Sequence, residues 1–322
     1  MTHRTDVVVI GGGQSGLAAG YHLRRLGVEH VILDAQAGAG RRRQAQAGAG
    51  GRRRGLAAHL GVPPPVRHGV GVSAVHRDGA FLRVETDCGD WQARVVVSAA
   101  GTWIRPFMPA VPGRREFTGR QPHTVQYRSP AGFAGRRVVV VGGGNSGAQI
   151  AADLARTAQL TWVTQRPPRY LADDIDGRAL FDAATARRRA LDEGRSDTGG
   201  VASLGDIVAV PSVRAARDAG LLRAKPMFAR LAAAGVEWAD GTRGEPDAVT
   251  WCTGFRPALA PCTALRLRGT RGHIATDSTR AVDESRLHLL GYGGRTGPAS
   301  ATLIGVGRPA RDAAHDIASL LR

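Results

Sequence analysis

Lysine is almost absent from this chain of 322 residues, since Lys225 is the only lysine among 44 basic residues. The excess of arginine gives a formal net charge of +17, which raises the question of a nucleic-acid partner. Aromatic residues make up only 5% of the chain, and none is interleaved with the two arginine triplets at 41–43 and 52–54 to form a stacking platform for bases. We therefore expect no nucleic-acid partner, and a basic surface that attracts anionic cofactors.

Cysteine pairs and long apolar runs are also missing. The three cysteines, Cys88, Cys252 and Cys262, form neither a CxxC pair nor a zinc-binding spacing. This spacing excludes a disulfide framework and a redox centre built from adjacent cysteines, and it predicts no metal site. The apolar runs are much shorter than a membrane span requires, and no secretory apolar region precedes Asp6. A cytoplasmic protein without a membrane partner is expected.

Two segments repeat one pattern, residues 5–34 and residues 136–166. Each contains a β-branched run, a glycine-rich turn, an amphipathic helical stretch and a second β-branched run, which is the order of a βαβ unit. Three further strands are predicted over residues 69–98, joined by short turns. The predicted fold class is α/β, with two doubly wound Rossmann-like dinucleotide-binding domains and a small antiparallel β segment.

The predicted domains follow from the positions of these patterns. Residues 1–110 with 281–322 are expected to form an FAD-binding domain, and residues 111–280 an NADPH-binding domain with an insertion at 170–225. Residues 35–55 are a low-complexity stretch of Ala, Gly, Arg and Gln. The remaining predicted elements are helices near 179–193, 213–219 and 299–321 and strands at 236–239 and 248–255.

The first turn, GGGQSG, has Gly11, Gly13 and Gly16 in GxGxxG spacing between a strand and a helix. These glycines permit the tight turn, the approach of main chain to a pyrophosphate, and close packing of the helix on the strand. The following strand ends at Asp34, whose carboxylate can accept both hydroxyl protons of an adenosine ribose. The pattern predicts a dinucleotide site here, with a glycine-rich loop that binds no ligand as the alternative.

The second turn, GGGNSG, repeats this spacing with Gly142, Gly144 and Gly147. Its second strand ends without an acid, in Thr164, Gln165 and Arg166. A guanidinium can bind a ribose 2′-phosphate that a carboxylate would repel, so this site is expected to prefer NADPH over NADH.

Two residues of the second turn, Asn145 and Ser146, are candidates to contact the pyrophosphate or nicotinamide. Capping of the helix N-terminus explains them equally well. An acid-terminated site followed by an arginine-terminated one suggests FAD in the first, NADPH in the second, and hydride transfer between the two cofactors.

Between the two turns lies the signature segment, residues 117–127 (FTGRQPHTVQY), with Phe117, Gly119, His123 and Tyr127 in FxGxxxHxxxY spacing. With two flanking GxGxxG motifs, this segment resembles the signature of class B flavin-dependent monooxygenases, the flavin-containing, N-hydroxylating and Baeyer–Villiger enzymes. The stretches VVVSAAGTW and WCTGFRP also resemble motifs of that superfamily. Residues 173–195 and the sequence near the C-terminus resemble a bacterial subgroup associated with arsenic resistance.

The resemblance implies that NADPH reduces FAD and that reduced flavin captures dioxygen as a C4a-(hydro)peroxyflavin. A small soft nucleophile, through sulfur, nitrogen or trivalent arsenic, would then take the distal oxygen. The flavin carries the chemistry in this scheme, so no catalytic side chain is assigned; Asn145 and His123 are candidates, and a structural role is favoured for His123. The partners implied are a small-molecule substrate and dioxygen, and a homodimer is left open.

Two features depart from the family pattern. Residues 35–60 lack the usual flavin-loop sequence, and the Asp expected near Gly294 and Arg295 is missing. An impaired relative that binds NADPH without productive flavin therefore stays an alternative. A reductase of the dithiol type is a second alternative, but it would need a cysteine pair that this chain lacks.

Overall fold

The structure is a computed structural model that describes residues 2–36, 65–173, 186, 193, 207–269, 272–293, 296, 300 and 305–322. The chain forms two units, one of Met1–Arg105 with Pro257–Arg322 and one of Pro106–Arg256. The chain leaves the first unit near the expected residue 110, but it returns at Pro257 rather than at residue 281. The earlier return has a packing reason, because Leu259, Cys262 and Leu265 are buried in the same apolar cluster as Val8.

The elements are numbered in chain order. The described strands are β1 (Thr2–Ile10), β2 (His30–Asp34), β3 (Val66–His68), β4 (Val72–Asp78), β5 (Phe81–Thr86), β6 (Asp90–Ser98), β7 (Arg137–Val141), β8 (Gln159–Thr164), β9 (Ala224–Pro226), β10 (Arg230–Ala232), β11 (Gly235–Glu237), β12 (Arg243–Gly244), β13 (Ala248–Trp251), β14 (Thr276–Asp277), β15 (Arg280–Ala281) and β16 (Glu284–Leu289). The described α-helices are α1 (Gln14–Arg25), α2 (Asn145–Leu154), α3 (Pro211–Asp218) and α4 (Gly307–Leu321). Short 3-10 turns span Thr124–Gln126, Pro130–Phe133 and Ala260–Leu265.

The first unit is built on one sheet with strand order β14-β15-β16-β6-β1-β2-β3. Strands β16, β6, β1, β2 and β3 are parallel, while β5 pairs antiparallel with both β4 and β6. Alternate residues of β1 face opposite sides, so that Val7 packs with α1 and α4 and Val8 packs with the antiparallel strands. Both faces of the central strands are thus buried, which explains their continuous Val and Ile runs.

A buried carboxylate ties the antiparallel strands to β16. Glu284 accepts hydrogen bonds from Arg77 Nε and Arg286 Nε, each at 2.7 Å. Burial alone would raise the pKa of Glu284, but hydrogen bonds from Arg286 and Arg77 outweigh it and the pKa is lowered. Removing either arginine would leave the buried Glu284 carboxylate with fewer donors, so this cluster helps to fix the position of β16.

The second unit has a parallel sheet of order β13-β7-β8-β9 and a separate antiparallel sheet of order β10-β11-β12. Helices α2 and α3 pack on one face of the parallel sheet, and Phe228 and Leu231 cover the other. The predicted insertion at 170–225 extends too far, because β9 begins at Ala224 and is the fourth strand of the parallel sheet. The single strand predicted at 236–239 is one strand of the antiparallel sheet.

The fold class is confirmed: two dinucleotide-binding units rich in parallel strands, with a small antiparallel segment. The helix predicted at 213–219 is α3, and the C-terminal helix is described from Gly307. The helix predicted at 179–193 and most of the low-complexity segment lie outside the described residues. Among the helices that the structure describes, none combines the length and apolarity needed to cross a bilayer.

Candidate functional site

The first glycine turn joins β1 to α1 so closely that two of its glycines leave no room for a side chain. Gly11 has a φ of +108°, and a methyl group there would come within 2.6 Å of the Ala99 carbonyl oxygen. A methyl group at Gly16 would collide with the carbonyl oxygen of Gly11. The N-cap of α1 is Gly13, which provides no side-chain cap, so main-chain N–H groups at this end can bind phosphate oxygens.

Asp34 ends β2 beside this turn and is 7% exposed. Its Oδ2 lies 3.4 Å from Nδ1 of His68, which is its register partner on β3. A methyl group at Gly12 would come within 2.6 Å of the same oxygen, so the carboxylate lies directly against the turn. A buried acceptor is therefore held where the sequence predicts an adenosine ribose. His68 was not predicted from the sequence, because its pairing with Asp34 depends on strand β3, which lies next to β2.

A cavity of about 660 Å³ opens beside the first turn. This volume is in the range of small-molecule and cofactor sites. The segment after β16 reaches the start of α1, because a methyl group at Gly291 would collide with the Ser15 side chain. The cavity lining includes the glycine turn, the end of β2, the residues after β6 and the start of the last 3-10 turn, namely Gly11, Gly12, Gly13, Asp34, Gln36, Val70, Ala100, Trp103, Ile104, Pro261 and Gly291.

These features fit the adenosine and pyrophosphate half of FAD, with a buried carboxylate for the ribose and an uncapped helix N-terminus for the phosphates. The two departures noted in the sequence concern the flavin half. Residues 37–64 and residues 294–295 both lie outside the described residues.

The second glycine turn has the same construction. Gly142 has a φ of +131°, and a methyl group there would collide with the Cys252 carbonyl oxygen. A methyl group at Gly147 would collide with the carbonyl oxygen of Gly142. At Gly144, by contrast, a methyl group would meet no atom within 4 Å, so the main chain here is open to a ligand. The N-cap of α2 is Gly144, again without a side-chain cap.

Capping does not account for Asn145. Its Oδ1 accepts a hydrogen bond from the Val208 N–H at 2.7 Å, which links the start of α2 to the segment before α3. Ser146 is half-buried and makes no side-chain cap. Contact of either residue with a nicotinamide or pyrophosphate stays a prediction.

Thr164 ends β8 as Asp34 ends β2, and it is buried. A methyl group at Gly143 would lie 3.3 Å from Thr164 Cγ2, so this side chain lies against the second turn. Arg166 follows two residues later, exposed and without an ion pair to any described carboxylate. The second strand end thus offers a hydroxyl and a nearby guanidinium, which suit a 2′-phosphate better than a bare ribose. Binding of NADPH by these residues stays a prediction.

His123 has a structural role in the signature segment. It is 2% exposed, its Nε2 donates to the Gly254 carbonyl oxygen at 3.1 Å, and its Nδ1 accepts from the Val125 N–H. Burial lowers the pKa of His123, although the bond to Gly254 opposes this shift. Both ring nitrogens are occupied by main-chain partners, so the imidazole has no free nitrogen to act as a general base.

The whole chain is similar to a solved structure of a flavin-containing monooxygenase from Stenotrophomonas maltophilia. The two are 40% identical, with a TM-score of 0.86, and the match covers 99% of this chain and 100% of that one. The chain belongs to the flavin-containing monooxygenase family. In this chain, residues 4–49 match the family model of an FAD binding domain, and residues 53–176 match the family model of a pyridine nucleotide-disulphide oxidoreductase.

Two curated relatives match part of this chain. A ferredoxin--NADP reductase from Thermus thermophilus is 29% identical over 196 residues, covering 56% of this chain and 58% of that protein. Indole-3-pyruvate monooxygenase YUCCA1 from Oryza sativa subsp. japonica is 32% identical over 219 residues, covering 57% and 53%. The chain thus spans a little over half of the length of each.

The comparisons confirm the predicted family and the predicted cofactors, FAD and NADPH. The FAD-binding match includes the first glycine turn and Asp34. The arsenic-associated subgroup, the homodimer and the cytoplasmic location stay predictions.

Proposed function

We propose that this chain is an NADPH-dependent FAD monooxygenase that transfers one oxygen atom of dioxygen to a small soft nucleophile, through sulfur, nitrogen or trivalent arsenic. The observation that carries the proposal is the contrast between two turns of the same construction. Both have uncapped helix N-termini, but only the first lies against a buried carboxylate, Asp34. One chain therefore offers separate sites for an unphosphorylated and a 2′-phosphorylated adenosine ribose.

The cavity beside the first turn favours chemistry carried by a cofactor. Among its described lining residues, only Asp34 and Arg105 are ionisable. Asp34 contacts His68 and is expected to hold the first ribose, so no described residue of the lining is placed to act as a general base. Bound FAD would supply a hydride acceptor and a centre that activates dioxygen.

The lack of a general base among the described lining residues also favours a soft nucleophile as substrate. A thioether, an amine or trivalent arsenic attacks through a lone pair, and no proton has to be removed first. In this proposal the role of the chain is to bind and orient: the N-termini of α1 and α2 hold phosphates, and Asp34 holds the first ribose. His123 braces the signature segment against the loop that follows β13.

The test begins with the visible absorption spectrum of the purified protein, with and without added FAD. We expect the protein to show flavin absorption that is bleached by NADPH. The reduced protein should then consume dioxygen and convert methyl phenyl sulfide to its sulfoxide. Peroxide is scored separately, because reduced flavin that yields only peroxide would contradict oxygen transfer. Asp34→Ala should lower flavin occupancy and leave NADPH binding unchanged.

The same experiment separates the alternatives. Protein that stays colourless with added FAD but binds NADPH would support the impaired relative. A dithiol reductase is disfavoured by the cysteines, because Cys252 and Cys262 are buried and Cys88 is exposed, and all three are free. Burial raises the pKa of both Cys252 and Cys262 to about 11, so neither forms a reactive thiolate near neutral pH.

A further inference from the structure

We propose that a groove of about 430 Å³ in the second unit is a binding site for a small organic anion with two anionic groups. This arginine groove lies between the signature segment and residues 129–133, which include the 3-10 turn before β7. Its lining includes Arg120, Gln121, Gln126, Arg128, Ser129 and Phe133. The proposal does not depend on the proposed oxygen transfer.

Two arginines in the groove, Arg120 and Arg128, have no acidic partner among the described residues. Arg120 stacks on the Phe133 ring at 5.2 Å and donates from one nitrogen to the Gly132 carbonyl oxygen at 3.3 Å. Arg128 donates from one nitrogen to the carbonyl oxygens of Val125 and Tyr127, at 2.6 Å and 3.1 Å. Neither guanidinium forms an ion pair with a carboxylate in the described part of the chain. Each is held in place by main chain, and the rest of its N–H donors are left for another acceptor.

The side-chain acceptors of the groove are already occupied. Gln121 Oε1 accepts from the Trp251 indole N–H at 3.3 Å, and Gln126 Oε1 accepts from the His123 main-chain N–H at 2.8 Å. The Ser129 hydroxyl can donate as well as accept. Gln121 Nε2 already donates to the Arg114 carbonyl oxygen at 2.8 Å, so the charged side-chain groups left over are the two guanidinium groups, an arrangement that suits an anion and repels a cation.

Arg120 lies away from the second glycine turn of the same unit. Arg120 forms a parallel bridge with Ala248, the first residue of β13. The second glycine turn instead follows Val141, the last residue of β7, and β7 and β13 are parallel. Arg120 and the turn thus lie toward opposite ends of the parallel strands, whereas nucleotides bind beyond the carboxyl ends. The Arg120 side of the groove is therefore separate from the dinucleotide site, whereas the Gln126 side lies near the carboxyl end of β13, because Gln126 contacts His123 and His123 bridges Trp251.

The groove chemistry indicates the class of ligand. Planar guanidinium groups match carboxylate and phosphate oxygens with paired hydrogen bonds, and two of them suit a ligand with two such groups. The volume is in the range of small-molecule sites. A phosphate ester and a dicarboxylate share this chemistry, so both must be tested.

The site can be tested by isothermal titration calorimetry on the full chain. The protein is first saturated with FAD and NADP⁺, so that both glycine turns are filled. Pyrophosphate and succinate are titrated in separate arms at constant ionic strength. We expect at least one probe to bind the wild-type protein, and about a tenfold or larger loss of affinity in Arg120→Gln/Arg128→Gln. Arg128→Gln alone should show part of this loss. This single variant replaces the double variant in the test if removal of the Arg120–Phe133 contact unfolds the protein.

The matched control is Arg156→Gln, an exposed arginine of the same unit that does not line the groove. Its affinity for the probes should equal that of the wild type. Binding of only one probe would identify the ligand as a phosphate ester or as a dicarboxylate. Three results would overturn the proposal: neither probe binds, the groove variants bind as the wild type does, or Arg156→Gln loses as much affinity as they do.

Discussion

The contact between His68 and Asp34 predicts that His68 contributes to FAD affinity without touching the flavin. Asp34 is buried at the end of β2, and its Oδ2 is 3.4 Å from His68 Nδ1. A carboxylate held in one orientation loses less rotational freedom when it accepts the ribose hydroxyls. Replacing His68 with Leu removes this contact and leaves only the Gln36 N–H among the described donors, 3.5 Å from Oδ1, to orient the carboxylate, so FAD should bind more weakly.

The size of the effect follows from the exposure of the pair. The His68 side chain is 41% exposed, so its bond to Asp34 is screened by water and contributes about 0.2–1 kcal/mol. This corresponds to a rise of about 1.5- to 5-fold in the dissociation constant of FAD. Asp34→Asn removes the charged acceptor and should cost about 1.5–3 kcal/mol, roughly 10- to 150-fold. The assay is titration of FAD into deflavinated protein, followed by quenching of flavin fluorescence.

Two further variants show whether His68 acts through Asp34. His68→Asn places an amide N–H near the position of Nδ1 and should restore most of the affinity. In the Asp34→Asn background, His68→Leu should have no further effect, because the group that it orients is gone. The control is His76→Leu, which breaks the contact of a similarly exposed histidine with Glu85. Neither residue lines the cavity, so FAD binding should stay unchanged. Equal losses from His68→Leu in both backgrounds would refute the reasoning.

Two other predictions concern NADPH and acid stability. Arg166→Ala should raise the apparent constant for NADPH about tenfold or more and leave that for NADH unchanged, as steady-state kinetics with both would show; equal effects on the two would remove its assigned role. His288 is fully buried, and burial lowers its pKa to about 4, so it is neutral in the folded chain while the unfolded chain binds its proton below about pH 6.5. Stability should therefore fall by up to about 3 kcal/mol as the pH falls from 6.5 to 4, and urea unfolding of His288→Gln should lack this part of the loss.

The repeated βαβ units could be predicted from the sequence because their signals are local. A Val-rich run, a glycine turn and a helical period define β1 with α1 and β7 with α2, and the structure has both. The role of each glycine could also be predicted. The turn itself leaves no room for a side chain at Gly11, Gly16, Gly142 and Gly147. Short antiparallel strands joined by turns predicted β4, β5 and β6 equally well.

Features that depend on distant parts of the chain could not be predicted. In the small antiparallel sheet only β11 was predicted, at 236–239, because β10 and β12 have three and two residues, too few for a period. The return to the first unit at Pro257 depends on the burial of Leu259 and Cys262 against β1 and its neighbours, which no local pattern encodes. His68 became visible as a partner of Asp34 only through the pairing of β2 with β3.

The structure also changes which residue of the second site corresponds to Asp34. Spacing along the sequence gives this place to Arg166, because it lies about as far from Gly147 as Asp34 lies from Gly16. By position on the strand and contact with the turn, the counterpart is Thr164. Gly12 lies against Asp34 and Gly143 against Thr164, and both strands end at these residues.

This correspondence divides the preference for NADPH between two residues. A carboxylate at position 164 would repel the 2′-phosphate from within a buried site, where charge is poorly screened. Arg166, exposed beyond the strand end, can only add attraction that water and salt weaken. Thr164→Asp should therefore weaken NADPH binding more than Arg166→Ala does, and the loss should persist at high salt, whereas the loss from Arg166→Ala should shrink. Parallel titrations at low and high ionic strength would measure both losses. A loss from Thr164→Asp that is no larger than that from Arg166→Ala, and that shrinks with salt as much, would contradict a contact between position 164 and the 2′-phosphate.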